Sequence, residues 1–162
     1  MKYNTIVDVV EINEQVVNAN KIMTDVLQNP RVNLIVDDGF HYLRNNKKKY
    51  DSIIMDLENP SLLHVTNLYT VEAFETISKS LIETGTFALW TFRGTTRYFD
   101  ILYYSMKEAF PYVYEYHYNY DWPRTFVATK TPLLDKTEYI PTNPYEINTI
   151  DRNTLTDAYL NN

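Results

Sequence analysis

Apolar positions along the chain change period repeatedly, and the changes mark out alternating strands and helices. Residues 6–10, Ile-Val-Asp-Val-Val, read as a short strand ending at Glu11. Asn13 is placed to cap the helix that follows. Val16, Ala19, Met23, Val26 and Leu27 share one face of that helix, and Asn29-Pro30 stops it. A second strand over 32–36 runs into Asp37-Asp38-Gly39, and a short helix over 40–46 ends in the solvated lysines 47–49. A third strand over 52–55 ends at Asp56, and a loop over 57–68 follows. Thr70 opens a helix with Ala73, Phe74, Ile77 and Leu81 inward, and Gly85 stands where a C′ glycine is expected. A fourth strand covers 86–91. Phe99, Leu102, Tyr103, Met106 and Phe110 then make another helical stripe, closed by Pro111. Strands over about 112–118 and 124–130 finish the pattern.

Three strand–helix alternations with near-continuous apolar strands predict an α/β fold. The expected architecture is a Rossmann-like, mostly parallel sheet with flanking helices and an antiparallel hairpin at one edge. Residues 1–130 form the expected domain. Residues 131–162 carry Pro132, Pro141 and Pro144 and read as a loosely packed tail ending in a short helix. The length, 162 residues, suits one domain. Cysteine is absent, which excludes disulfides, thiolate metal sites and cysteine nucleophiles. Only Gly39, Gly85 and Gly94 are present, so no Gly-rich phosphate loop can be written. With 15 Lys+Arg against 21 Asp+Glu, the net charge of −6 argues against nucleic-acid binding. Neither a membrane-length apolar run nor a signal pattern appears, and a cytoplasmic location is expected.

The candidate chemistry lies at strand ends. Glu11, Asp37/Asp38 and Asp56 each close a strand, and in a parallel sheet the carboxyl ends share one edge, where ligands of open α/β sheets bind. Glu11 reads as a ribose-hydroxyl acceptor, Asp38 as an acceptor from an adenine amino group, and Asp56 as the acid nearest the reacting centre. The plainer alternative for each acid is a helix cap or a solvated loop residue. The pattern does not choose a nucleotide. His41, His64 and His117 are scattered, so no metal site is expected, and no serine sits in a nucleophile-elbow sequence. Tyr112, Tyr114, Tyr116, Tyr118 and Tyr120 alternate as in a semi-buried edge strand, with a dimer or partner interface as the alternative. Trp90 reads as core, and Arg93 and Arg97 as solvated loop residues.

These residues carry a family resemblance. Val7-Asp8-Val9-Val10-Glu11-Ile12-Asn13 resembles the Glu-Ile-Asp segment of spermidine synthases, the aminopropyltransferases. Asn29-Pro30-Arg31-Val32 followed by Asp38-Gly39-Phe40-His41-Tyr42-Leu43 is similar to a second motif of that family. Lys49-Tyr50-Asp51-Ser52-Ile53-Ile54-Met55-Asp56-Leu57-Glu58-Asn59-Pro60 resembles its Asp-x-x-Asp-Pro loop. Leu68-Tyr69-Thr70-Val71-Glu72-Ala73-Phe74 resembles the segment after that loop. The resemblance implies the class I methyltransferase fold. It implies that Glu11 holds the ribose of decarboxylated S-adenosylmethionine, that Asp38 with Gly39 meets the adenine, and that Asp56 orients and deprotonates the attacking amine. Tyr69, Glu58 and Asn59 would line the amine side, and no metal is implied. An acidic, tyrosine-lined pocket suits a cationic polyamine.

Against the family pattern, the amino-terminal β domain, the first strand and the Gly-rich loop would precede Met1. The lost strand would lie between those ending at Glu11 and Asp56. The sequence is therefore expected to be a fragment, half of a split protein, or a reorganised variant. Asn13 and Asn59 stand where the family has acids, and 118–126 departs from the late amine-site motif. Thr154-Leu155-Thr156-Asp157-Ala158-Tyr159 is loosely similar to the ending of some members. The expected function is aminopropyl transfer to a di- or polyamine. The alternatives are an S-adenosylmethionine-dependent methyltransferase, or a non-catalytic subunit of the same fold acting through a partner chain. A homo-oligomer or partner chain is expected, with no nucleic acid and no membrane.

Overall fold

Local hydrogen bonding and burial assemble the chain into two compact units, residues 1–47 and 48–162. The structure is a computed structural model and describes residues 5–57, 63–91, 94–117 and 124–160. None of its helices is long and apolar enough to cross a membrane, among the described residues.

The first unit runs β1 (Val7–Glu11), α1 (Glu14–Met23), β2 (Val32–Val36) and α2 (Gly39–Asn45). The strands are parallel, in register from Val7 opposite Val32 to Glu11 opposite Val36. Both helices start at a side-chain cap, the first at the predicted Asn13 and the second at Asp38, where a cap was the plainer alternative. The Asn13 Oδ1 accepts from Gln15 N–H at 2.9 Å, and the Asp38 Oδ1 from His41 N–H at 2.7 Å. The expected inward face of α1 is not the observed one. Thr24 turns extended and ends the helix, so Val26 and Leu27 fall on a separate 3-10 turn. Val17 is buried instead, while Val16, Met23 and Val26 are exposed. The apolar spacing over 16–27 counted as one helix what the backbone divides in two, and a two-stranded sheet covers only a narrow helical stripe.

The second unit contains β3 (Tyr50–Asp56), α3 (Leu63–Thr66), α4 (Val71–Ser80), β4 (Leu81–Thr91), α5 (Thr96–Lys107), β5 (Tyr112–His117), β6 (Arg124–Thr129) and α6 (Thr154–Leu160). Its sheet has the order β3-β4-β6-β5. β3 and β4 are parallel, and β6 runs antiparallel to both β4 and β5, which is the edge hairpin the sequence predicts. The fold is α/β, with the two parallel ladders in separate sheets rather than in one. Among the described residues no strand pairs with the second edge of β1 or of β3. The core lies on Phe74, Ile77, Phe87, Leu89, Phe99, Leu102, Met106, Phe110 and Phe126. The α4 and α5 stripes of the sequence are in it, and the Phe87 and Phe110 rings stack at 5.9 Å.

Gly85 is not a helix cap. α4 ends at Ser80, and Gly85 lies inside β4. Tyr50 pairs with Leu81 and Ser52 with Thr86, so β4 carries extra residues between those pairs. A Cβ at Gly85 would lie 3.0 Å from the Tyr50 carbonyl oxygen, and the irregular ladder needs glycine for this approach.

Residues 131–160 are a closely fitted strap rather than a loose tail. Glu138 bridges Tyr114, and Tyr139 N–H donates to the Val113 carbonyl at 3.2 Å, so the open edge of β5 is covered. The strap then meets Asp100, which is 1% exposed in the middle of α5. The Asp100 carboxylate accepts from Tyr139 O–H at 2.5 Å, Thr142 N–H at 3.0 Å, and both Asn143 N–H and its side-chain amide at 2.7 Å. Burial pushes this carboxyl up, and the donors from Tyr139, Asn143 and Thr142 outweigh it and hold it below its ordinary range. The paired carboxylate therefore contributes stability in full above the unfolded pKa of about 4, and loses it as pH falls through the lower folded value. Replacing Asp100 with Asn should cost about 2–4 kcal/mol at pH 7 and flatten the acid limb of the stability curve, as read by urea titration against pH.

Candidate functional site

The carboxyl ends of β1 and β2 are tied together by Asp37 N–H donating to the Glu11 carbonyl at 3.2 Å. That bond sets Glu11, Asp37 and Asp38 at one end of the two-stranded sheet. The Glu11 Oε1 accepts from Asn13 N–H at 2.7 Å, which fixes the half-buried side chain. A carboxylate offers about four lone-pair sites, so one such bond leaves capacity for ligand hydroxyls. The Asp37 Oδ1 accepts from Asp38 N–H at 2.8 Å, and His41 Nδ1 lies 2.9 Å from the same oxygen. Asp38 spends one oxygen on the α2 cap, so the plainer alternative for this acid is satisfied by the same atom set. Gly39 opens α2, and a Cβ there would meet nothing within 4 Å.

In the second unit Asp56 is the last residue of β3, exposed and opposite Trp90. The loop after it ends in a 3-10 turn, Asn67–Tyr69, whose Tyr69 is 1% exposed. Burial, then the Asp56 carboxylate, then Tyr159, raise the Tyr69 phenol far above its ordinary range. Tyr69 is therefore a neutral donor at physiological pH, within electrostatic reach of Asp56. Tyr98 is equally buried and raised, first by burial and then by Tyr69 and Tyr159. Its ring meets that of Tyr159 edge-on at 5.6 Å. Tyr69, Tyr98 and Tyr159, from the 3-10 turn, α5 and α6, thus form a cluster of phenols, and Asp56 acts on Tyr69 among them.

Sequence reasoning named Asp56 and Tyr69 and missed Tyr98 and Tyr159. The available signal was Gly94. A Cβ at that position would lie 2.1 Å from the Tyr98 ring, so the glycine marks where the ring rests on the backbone. Glu58 and Asn59 lie outside the described residues, as do Arg93 and the side chains of His64 and His117. Trp90 is half-buried, and Arg97 is not a loop residue but forks onto Glu146 at 3.0 and 3.1 Å from α5. A cavity of about 410 Å³ beside that pair is lined by Asn143, Tyr145 and Arg152 among others, and none of the strand-end carboxylates lines it. Among the described residues no group of three or more His, Asp and Glu side chains is placed to hold a metal ion.

A family model, the spermine/spermidine synthase domain, matches residues 1–120. The chain belongs to that family. A polyamine aminopropyltransferase of Pyrobaculum islandicum is 29% identical over 147 residues, covering 83% of this chain and 49% of the relative. A polyamine aminopropyltransferase of Clostridium botulinum is 32% identical over 114 residues, covering 67% and 39%. The chain thus spans half or less of the length of these curated relatives. Among solved structures, a spermidine synthase bound to the transition-state analogue AdoDATO superposes with a TM-score of 0.62 at 22% identity, covering 76% of this chain and 44% of that one. The family assignment agrees with the motifs around Glu11, Asp38, Asp56 and Tyr69.

Adding a methyl group at Gly94 should displace the Tyr98 ring. Gly94→Ala is expected to cost about 1–3 kcal/mol, seen as a lowered melting temperature.

Proposed function

We propose that this chain carries the nucleoside and amine chemistry of an aminopropyltransferase, using decarboxylated S-adenosylmethionine and a di- or polyamine. The observation that carries the reading is Asp56 at the carboxyl end of β3, with the neutral Tyr69 phenol held in its field. In the first unit, Glu11 would accept from the ribose hydroxyls and Asp38 from the adenine amino group, with Gly39 leaving room for the ring. In the second, Asp56 would bind the amine as a cation and then take its proton. The freed nitrogen lone pair attacks the methylene carbon bonded to the sulfonium. The carbon–sulfur bond breaks, its electron pair stays on sulfur, and methylthioadenosine leaves as a neutral thioether. The proton resides on Asp56 until solvent removes it. Most of the acceleration comes from holding the nitrogen, carbon and sulfur in line, with the carboxylate contributing general-base catalysis.

A homo-oligomer in the cytoplasm completes this reading. Glu58 and Asn59 would border the amine in it.

Asp56→Asn should lower methylthioadenosine release, followed by chromatography, about 100-fold or more, with the fold retained by circular dichroism. An undiminished rate removes Asp56 from the mechanism. Glu11→Gln should weaken methylthioadenosine binding about fivefold to tenfold in calorimetry and leave amine binding unchanged.

A further inference from the structure

The strap places one fully buried amide where the second unit's candidate chemistry needs it. Asn148 is 0% exposed and lies beyond the segment the family model matches. Its polar atoms reach the 3-10 turn at Tyr69 and three helices. The side-chain Nδ2 donates to the Tyr69 carbonyl at 3.1 Å, and the main-chain carbonyl accepts from Val71 N–H at 2.9 Å. Its main-chain N–H donates to Ser105 Oγ on α5 at 2.8 Å, and its Oδ1 accepts from Leu155 N–H in α6 at 3.3 Å. Two residues on, Ile150 N–H donates to the Glu72 carboxylate at 3.2 Å.

Asn148 therefore grips the chain on both sides of Thr70, the residue that caps α4. Tyr69 ends the 3-10 turn that precedes α4, and a short turn left to itself samples many backbone states. A buried amide that is satisfied on both its donor and its acceptor fixes one of them. We propose that Asn148 is a positioning residue, fixing through the Tyr69 carbonyl the turn that precedes α4 and, with it, the amine side of the site. The inference rests on the amine reading above and adds to it a residue outside the family motifs.

Asn148→Asp separates this role from general stability. The substitution keeps an acceptor for Leu155 N–H and sets an oxygen in place of the donor facing the Tyr69 carbonyl. Calorimetry with 1,4-diaminobutane and with methylthioadenosine, and amide hydrogen exchange of the same protein, read the outcome. Diamine affinity should fall about tenfold with methylthioadenosine affinity unchanged. Val71 N–H should exchange about tenfold faster while Leu89 and Phe126 keep their protection. A second variant, Phe110→Leu, lowers stability through a core ring that makes none of the Asn148 bonds. It should leave diamine affinity as it is. The proposal is overturned if Asn148→Asp frees Val71 yet binds diamine like the parent, or if Phe110→Leu weakens diamine equally. Should the parent chain bind no diamine, the amine reading fails, and the exchange rates still decide the clamp. An unchanged Val71 rate then refutes it, and an accelerated one keeps Asn148 as the residue that positions Tyr69 for another ligand.

Discussion

A carboxylate buried in the middle of a helix is the constraint from which the second unit is built. Asp100 is tolerable at that depth only because five donors surround it, and all five come from residues 139–143. Removing the strap would leave a desolvated charge on α5, and removing the charge would leave donors facing an apolar helix. Each side requires the other, so the strap crosses α5 at one place. Tyr104 and Glu108, one and two turns further along α5, then bind Asn143 and Tyr145, and Arg97 binds Glu146. By residue 148 the chain has been aligned along α5 and reaches the end of the Asp56 loop. The charge at Asp100 thus sets where Asn148 arrives, with no contact between the two.

The first unit is made differently. Val17 is the only apolar side chain buried there among the described residues, and Ile22 and Met23 of α1 are more than four-fifths exposed. Its order comes from local bonds: two side-chain caps, the β1–β2 ladder, and Asp8 accepting from Asn33 and Tyr42. Such bonds define where Glu11 and Asp38 stand, but each contributes only about 1 kcal/mol, and little buried area supports them. A unit of this kind opens at low cost compared with the aromatic core beneath β4.

Strand ends, helix caps and the hairpin were legible because they depend on neighbours in sequence. Val32–Val36 is the observed strand residue for residue, Asn13 caps as predicted, Thr70 opens its helix and caps it, and Asp38 takes the cap that was the plainer alternative for it. Gly85 was misplaced because a glycine near a helix end and a glycine in an irregular ladder have the same local sequence; only the Tyr50 carbonyl distinguishes them. The strap was illegible for a related reason. Its order depends on residues some forty positions away, and proline with weak periodicity describes a fitted strap as well as a loose tail. Glu11, Asp38, Asp56 and Tyr69 were singled out by motif order and strand-end position, whereas Tyr98, Tyr159 and Asn148 are placed by tertiary neighbours alone.

The strand-end acids show why structural and chemical roles need not compete. A carboxylate that caps a helix is held in one rotamer, and a held rotamer is what ligand recognition requires. Asp38 donates no atom of its cap to any other use; one oxygen holds His41 N–H, and the fixed plane of the group defines the direction of the other. Glu11 is fixed in the same way by Asn13 N–H, so asparagine in place of the family's acid still caps α1 and still orients the glutamate. Asp56 differs from both. It is the last residue of its strand and is exposed, and its carboxylate acts electrostatically on the buried Tyr69 phenol. A base that must exchange protons with solvent belongs at such an exposed position, while its rigid neighbour belongs in the core. In the proposed reading, the two acids fixed by backbone N–H groups suit binding, and the exposed one suits proton transfer.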